Sequence, residues 1–361
     1  MGALTTWLGA AAAGTLLVGA LMAGPAAGQE SQSVTFIVVN NLFSTPAFVA
    51  SEKGYWAKYG LVVTVKLVNR GSAVADAVQA GDAQFGHASF ATTIASARAS
   101  GNMLKGVMPY YNAAGYIAKA GGRAIVARRD RGIDTNRPKS MEGKMIAHLA
   151  DSTNEVYLRE WFLKNKVDIS KSRLVSVPVE DMPIAIVRGR VDAIVPWEPY
   201  TAQAVRELDA NAVVVSRGEE GLVTDIIGVV VNEEWAKSNY DLIEKFATGI
   251  AEATFFLRHN PQQAAEIATR FLAGLNVADA TNGLEWLSWD PRLSVCNIEG
   301  LVKSGNHMVA QKLFRKDKPF VADDFYDDTV FKRVTAKHAE LFDDLPALPK
   351  TLADCKGRLP Y

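Results

Sequence analysis

Four short stretches carry side chains able to act on a small molecule: Asn40-Asn41, His87-Ala88-Ser89, Ser152-Thr153-Asn154 and Trp197-Glu198. Their chemistry is that of recognition. Amides, an imidazole and hydroxyls give and take hydrogen bonds, an indole can wall a flat or apolar group, and a carboxylate can meet an amine. Groups for covalent chemistry are sparse: the chain has no G-x-S-x-G elbow, no phosphate-binding Gly-Lys-Ser/Thr loop and no G-x-G-x-x-G turn. His87, His148, His259, His307 and His338 are scattered without metal-ligand spacing, so neither a metal nor another cofactor is expected. His87 and Ser89 are too close in sequence to form a Ser–His catalytic pair by themselves. Each stretch also has a plain structural alternative. Asn40 and Asn41 can shape a turn, Ser152 or Thr153 can cap a helix, Trp197 and His87 can sit satisfied in the core, and Glu198 can favour a helix start.

The elements around these stretches repeat one plan. In GRVDAIVPWEPY (Gly189–Tyr200), Gly189 stands where a helix C′ glycine would, after helically spaced Met182–Arg188. Val191–Val195 then reads as a strand buried on both faces, and Thr201–Leu208 as a helix with Pro199 in its first turn. Earlier, Asp76–Ala80, Gly81 and Asp82–Gly86 give helix end, glycine and strand again, with Ala91–Ser100 as the next helix. Val34–Val39 is the first strand, followed by a helix over Ala47–Lys58 and a strand over Val62–Val68. Met145–Leu149 is the strand before Ser152, and Glu155–Lys164 the helix after it. Polar groups thus gather at the carboxyl ends of strands, where open α/β sheets bind ligands. Two such units predict two lobes facing one cleft, with Ala124–Ala127 and Ile226–Val231 as crossovers. Beyond Asn232 the pattern is helical as far as Phe342, with Trp286 and Trp289 read as packing residues and the tail from Leu345 as extended.

The chain's 361 residues leave room for two domains, and 48% hydrophobic with 22% charged residues is ordinary for globular proteins. A formal net charge of zero gives no pointer to nucleic acid or an anionic membrane. The densest basic stretch, Arg123–Lys139, lacks interleaved aromatics and reads as a solvated crossover between the lobes. Residues 1–28 carry no charged side chain and end in Ala26-Ala27-Gly28, the pattern of a cleaved signal peptide; a periplasmic location is therefore expected. Cys296 and Cys355 form a disulfide candidate in an oxidising compartment, with two separate buried thiols as the alternative.

Several segments together resemble the substrate-binding proteins of ABC importers, in the group serving nitrate, alkanesulfonates, taurine and thiamine-pyrimidine precursors. They are PAFVASEKGYWAKYGL (Pro46–Leu61), Ala77–Gly86, Ser140–Ala147 with its Ser152-Thr153-Asn154 helix start, and Ile184–Tyr200 with WEPY. The resemblance implies an α/β class, two-lobed type II periplasmic-binding fold: two α/β domains joined by two crossover segments and closing by a hinge. The lobes would be 33–123 with 228–345, and 124–227, followed by an extended tail at 346–361. It implies a cleft lined by Asn40, Asn41, Leu42, His87, Ser89, Ser152, Thr153, Asn154, Trp197 and Glu198. The expected protein is a monomer that binds a small solute and hands it to an ABC permease in the inner membrane, without turnover. An enzyme on the same fold, or a periplasmic sensor subunit, are the other readings. One departure stands out: none of the four stretches holds Lys or Arg, so an anion would rely on helix N-termini, hydroxyls and a protonated His87.

Overall fold

Why each half forms a sheet is visible in the pairing of its apolar runs. The computed structural model describes residues 1–2, 31–112, 121–218, 221–313, 316 and 318–355; the expected signal peptide and its cleavage point lie outside them. Among the described residues, ten strands form two five-stranded sheets. They are β1 (Gln32–Val39), β2 (Leu61–Val68), β3 (Phe85–Ser89), β4 (Leu104–Asn112), β5 (Ala124–Arg128), β6 (Met145–His148), β7 (Arg173–Ser176), β8 (Ala193–Ile194), β9 (Ala212–Arg217) and β10 (Ile226–Asn232). The first sheet runs β2-β1-β3-β10-β4 and the second β7-β6-β8-β5-β9. In the first, β1 is parallel to β2 and β3, while β10 is antiparallel to β3 and β4. In the second, β6 is parallel to β7 and β8, and β5 is antiparallel to β8 and β9. The chain therefore leaves the first sheet after β4, builds the whole second sheet, and returns through β10 between β3 and β4. Gly228 permits that return: a Cβ there would stand 2.5 Å from the Met108 carbonyl oxygen and 2.7 Å from Pro109 Cα.

Helices cover the sheets: α1 (Thr45–Glu52), α2 (Gly71–Ala80), α3 (Ala95–Ala99), α4 (Thr153–Lys164), α5 (Met182–Val187), α6 (Tyr200–Leu208) and α7 (Glu233–Lys237). After them come α8 (Tyr240–His259), α9 (Pro261–Phe271), α10 (Val277–Leu284), α11 (Val295–Ala310), α12 (Ala322–Phe325) and α13 (Thr329–Lys337). Among the described residues, no helix is long and apolar enough to cross a membrane. The first core is aromatic: Phe85 stacks on Phe246 at 3.7 Å between centroids, and Trp56 stacks on the same ring at 5.0 Å. The Trp56 indole N–H donates to the Phe246 carbonyl at 3.0 Å, so the buried polar edge is satisfied.

Among the boundaries that differ from the sequence reading, the strand expected over Val191–Val195 shortens to Ala193–Ile194. The tail expected as extended carries a 3-10 turn at Leu352–Cys355. Three more differences lie close to the first sheet. The helix expected over Ala47–Lys58 stops at Glu52, because Gly54 turns left-handed (φ +66°), and a separate 3-10 turn follows at Ala57–Tyr59. The strand expected over Asp82–Gly86 is β3, three residues later, so His87 and Ser89 belong to the strand itself. The helix expected over Ala91–Ser100 opens as a wide π turn, Phe90–Ile94, before α3. Both predicted glycine caps do take left-handed conformations, Gly81 at +83° and Gly189 at +67°. Cys296 and Cys355 are bonded, with Cα atoms 5.7 Å apart, fastening residues 352–355 to α11.

Candidate functional site

Period-2 alternation in β3 turns His87 and Ser89 to the same face, at the carboxyl end of the strand. Beside them, β1 ends at Val39. Its carbonyl takes the Asn41 N–H at 2.8 Å and the Ser44 hydroxyl at 2.6 Å, which pulls Asn41 inward. From the other sheet, β6 delivers the start of α4, where Ser152 accepts the Asn154 N–H at 3.2 Å as a helix cap. A lone backbone bridge between Arg123 and Trp197 fixes the remaining wall. These elements enclose a cavity of about 160 Å³ between the strand ends of the two sheets. Asn41, His87, Ser89, Ser152, Thr153 and Trp197 all line it.

Four other predicted residues stand behind that wall. Asn40 gives its N–H to Val68 and receives the Tyr200 hydroxyl on its carbonyl. Leu42 is fully buried, its N–H donating to the Glu198 carbonyl. Asn154 is fully buried too. It donates to the Val195 carbonyl at 2.8 Å and accepts from Arg123 Nε at 3.1 Å, so it holds the arginine in place. Glu198 has no exposed surface; its carboxylate pairs with Arg217 and accepts the Ala202 N–H at 3.2 Å. It caps α6 and joins the two halves, because Gly283 of α10 packs against it. Burial pushes its carboxyl up to about 7 against the pull of Arg217.

Sequence reasoning missed Arg123, Phe43 and Thr92. The stretch beginning at Arg123 was expected to be solvated, yet Arg123 is 3% exposed and lines the cavity. Its guanidinium lies 2.6 Å from Asp225 and over the Phe43 ring. No local periodicity marks such a residue, since its partner sits on the other crossover. A protonated His87 is also corrected: burial drives its pKa down to about 3, and the imidazole is neutral, bonded through Nδ1 to the Tyr110 hydroxyl. Trp286 and Trp289 stay outside the cavity, Trp286 lying under the Arg217 guanidinium at 3.8 Å.

The two halves touch across the cavity. Thr92 and Thr153 hydroxyls are 2.7 Å apart, and Thr92 donates to Ser89 Oγ at 3.0 Å. Ser89 in turn donates to Asp225 at 2.5 Å. Behind the cavity, Arg206 of α6 pairs with Asp279 of α10 at 3.0 Å, and His307 Nε2 of α11 lies 2.9 Å from Glu160 of α4. No group among the described residues accepts the Trp197 indole N–H. Among the described residues, no group of three or more His, Cys, Asp or Glu is arranged to hold a metal ion.

Solved structures with this arrangement include the alkanesulfonate-binding protein SsuA from Xanthomonas axonopodis pv. citri, bound to MOPS. It has a TM-score of 0.69 and 18% identity over 82% of this chain and 99% of its own. The periplasmic nitrate-binding protein NrtA from Synechocystis PCC 6803 gives 0.70 and 12% over 89% and 92%. The desulfurization enzyme DSZB gives 0.61 and 12% over 85% and 99%. The fold is accordingly the two-lobed type II periplasmic-binding arrangement. No curated protein matches the chain. The model of the family described as NMT1/THI5 like matches residues 41–264, more than half of the 361, and the chain belongs to that family.

Proposed function

We propose that the protein is the extracytoplasmic solute-binding component of an ABC importer, working by capture rather than turnover. The observation that carries this reading is the cavity between the two sheets, walled from both sides by Asn41, His87, Ser89, Ser152, Thr153 and Trp197. Its volume, about 160 Å³, is close to that of an engineered protein cavity that accepts benzene. A small organic or small oxyanionic solute fits that space. The working units would be residues 33–123 with 228–345, and residues 124–227, hinged at the two crossovers. The 2.7 Å contact between the Thr92 and Thr153 hydroxyls would then help hold those units closed. The named roles of SsuA and NrtA support the reading, as does the family. The enzyme DSZB keeps a catalytic alternative in view. A periplasmic location, a monomeric state and delivery to a membrane permease complete the proposal.

A thermal screen of nitrate, sulfonates, taurine, pyrimidines and aromatic acids tests it. Binding to the folded state alone stabilises it, by about 2.7 kcal/mol at a hundredfold excess over Kd, and so raises the melting temperature. A positive result is a solute that raises the melting temperature and is recovered unchanged. Conversion of that solute by the protein would contradict the capture reading.

A further inference from the structure

We propose that Asp225 is a specificity-determining residue, setting the cavity for solutes that donate hydrogen bonds and carry no net negative charge; this rests on the solute-binding reading above. Asp225 has no exposed surface and does two things from behind the wall. Burial pushes its carboxyl pKa up, but the Arg123 guanidinium at 2.6 Å and the Ser89 hydroxyl at 2.5 Å favour the ionised form. As a carboxylate it cancels the charge of the buried cation that lines the cavity. A full anion entering such a wall would be buried without a compensating charge, which is strongly unfavourable.

Its second effect is on the direction of the hydroxyl chain. Ser89 has one proton and gives it to Asp225 at 2.5 Å. Thr92 therefore gives its proton to Ser89 at 3.0 Å, and in the 2.7 Å contact Thr153 is the donor and Thr92 the acceptor. All three residues line the cavity, yet all three hydroxyl protons run toward the buried carboxylate. Ser89 Oγ has both lone pairs occupied, by the Thr92 N–H at 3.2 Å and the Thr92 hydroxyl at 3.0 Å, so what remains for a solute is lone pairs on Thr92 and Thr153. An oxyanion would meet oxygen with oxygen, whereas an amide, amine or hydroxyl would find an acceptor. Other charges at the cavity do not reverse this. His87 is neutral, its pKa pushed down to about 3 by burial. The remaining described ionisable residues of the lining, Arg70, Asp76 and Asp151, are exposed at the mouth and bring no excess of positive charge. The Trp197 N–H and the start of α4 supply donors suited to a carbonyl oxygen on the same solute.

The test uses matched probes that differ in charge and hydrogen-bond polarity but hardly in shape: nicotinamide against nicotinate, benzenesulfonamide against benzenesulfonate, and methanesulfonamide against methanesulfonate. Calorimetric titration and thermal shift on the unaltered protein are expected to favour the uncharged member of each pair that binds, by about a hundredfold. Asp225→Asn is expected to shrink that preference by at least about tenfold, chiefly by tightening the anion. Should D225N fail to fold, the pairs on the unaltered protein decide alone. Anions binding as tightly as their uncharged partners would overturn the inference while leaving the solute-binding reading intact. No binding by any probe or by the wider screen would remove that reading, and the inference with it.

Discussion

Replacing Thr153 by valine removes the hydroxyl that reaches across the cavity and keeps the shape of the side chain. Two contacts are at stake. The 2.7 Å contact with Thr92 is a full hydrogen bond, whereas the 3.4 Å contact with Ser89 is too long to add much. Thr92 keeps its bond to Ser89 at 3.0 Å, so its own donor is not orphaned. The expected loss is therefore that of one neutral hydrogen bond, about 1 kcal/mol. Both residues are more than nine-tenths buried, so water does not readily replace it. The ratio of closed to open protein should fall about fivefold, and the apparent affinity with it where the closed form is the minority state. Thr92→Val should cost more, about 1–3 kcal/mol, since it leaves the buried Thr153 proton without a good acceptor. Urea unfolding of the parent, both single variants and the double variant, with and without bound solute, gives the coupling directly. About 1 kcal/mol is expected in the state where the halves touch. Additivity within about 0.3–0.5 kcal/mol in both conditions would refute the reasoning.

Other outcomes follow from single features. Changing Cys296 and Cys355 to serine opens a closed loop of 59 residues and should lower stability by about 4 kcal/mol on the chain-entropy account, read by urea unfolding. His87 is held at about 3 when folded but titrates near 6.5 when unfolded, so the unfolded chain binds the extra proton and acid destabilises the fold. Between pH 6.5 and pH 5 this costs about 1.6 kcal/mol. Glu198, raised to about 7, has the opposite sign: its contribution is fully present below about 4.5 and is lost as pH rises through 7. Urea melts across pH should therefore show the His87 slope in the difference between parent and His87→Asn. Trp197→Ala should abolish any solute-induced thermal shift and cost about 3–5 kcal/mol of stability, as emptying a buried aromatic site does; an unchanged shift would place the solute elsewhere.

Much of the framework is legible from sequence because it rests on local rules. Val34–Val39 and Ile226–Val231 are long apolar runs, and Gly81 and Gly189 end helices in a conformation that other residues resist. The strand ends at Asn41, Ser89, Thr153 and Trp197 could be named for the same reason. What sequence did not reveal is set by partners distant in the chain. Arg123 looks like the start of a basic surface stretch until Asp225, on the other crossover, neutralises it. Glu198 looks like a ligand group until Arg217 and Ala202 take its carboxylate. Thr92 becomes part of the wall only because a π turn follows β3 where a regular helix was expected.

Native mass spectrometry of the protein incubated with the strongest binder from the thermal screen tests the central claim most directly. The account predicts one solute per chain, released chemically unchanged on denaturation and absent from the Trp197→Ala protein. A solute that is converted, or that stays bound when Trp197 is removed, would contradict it.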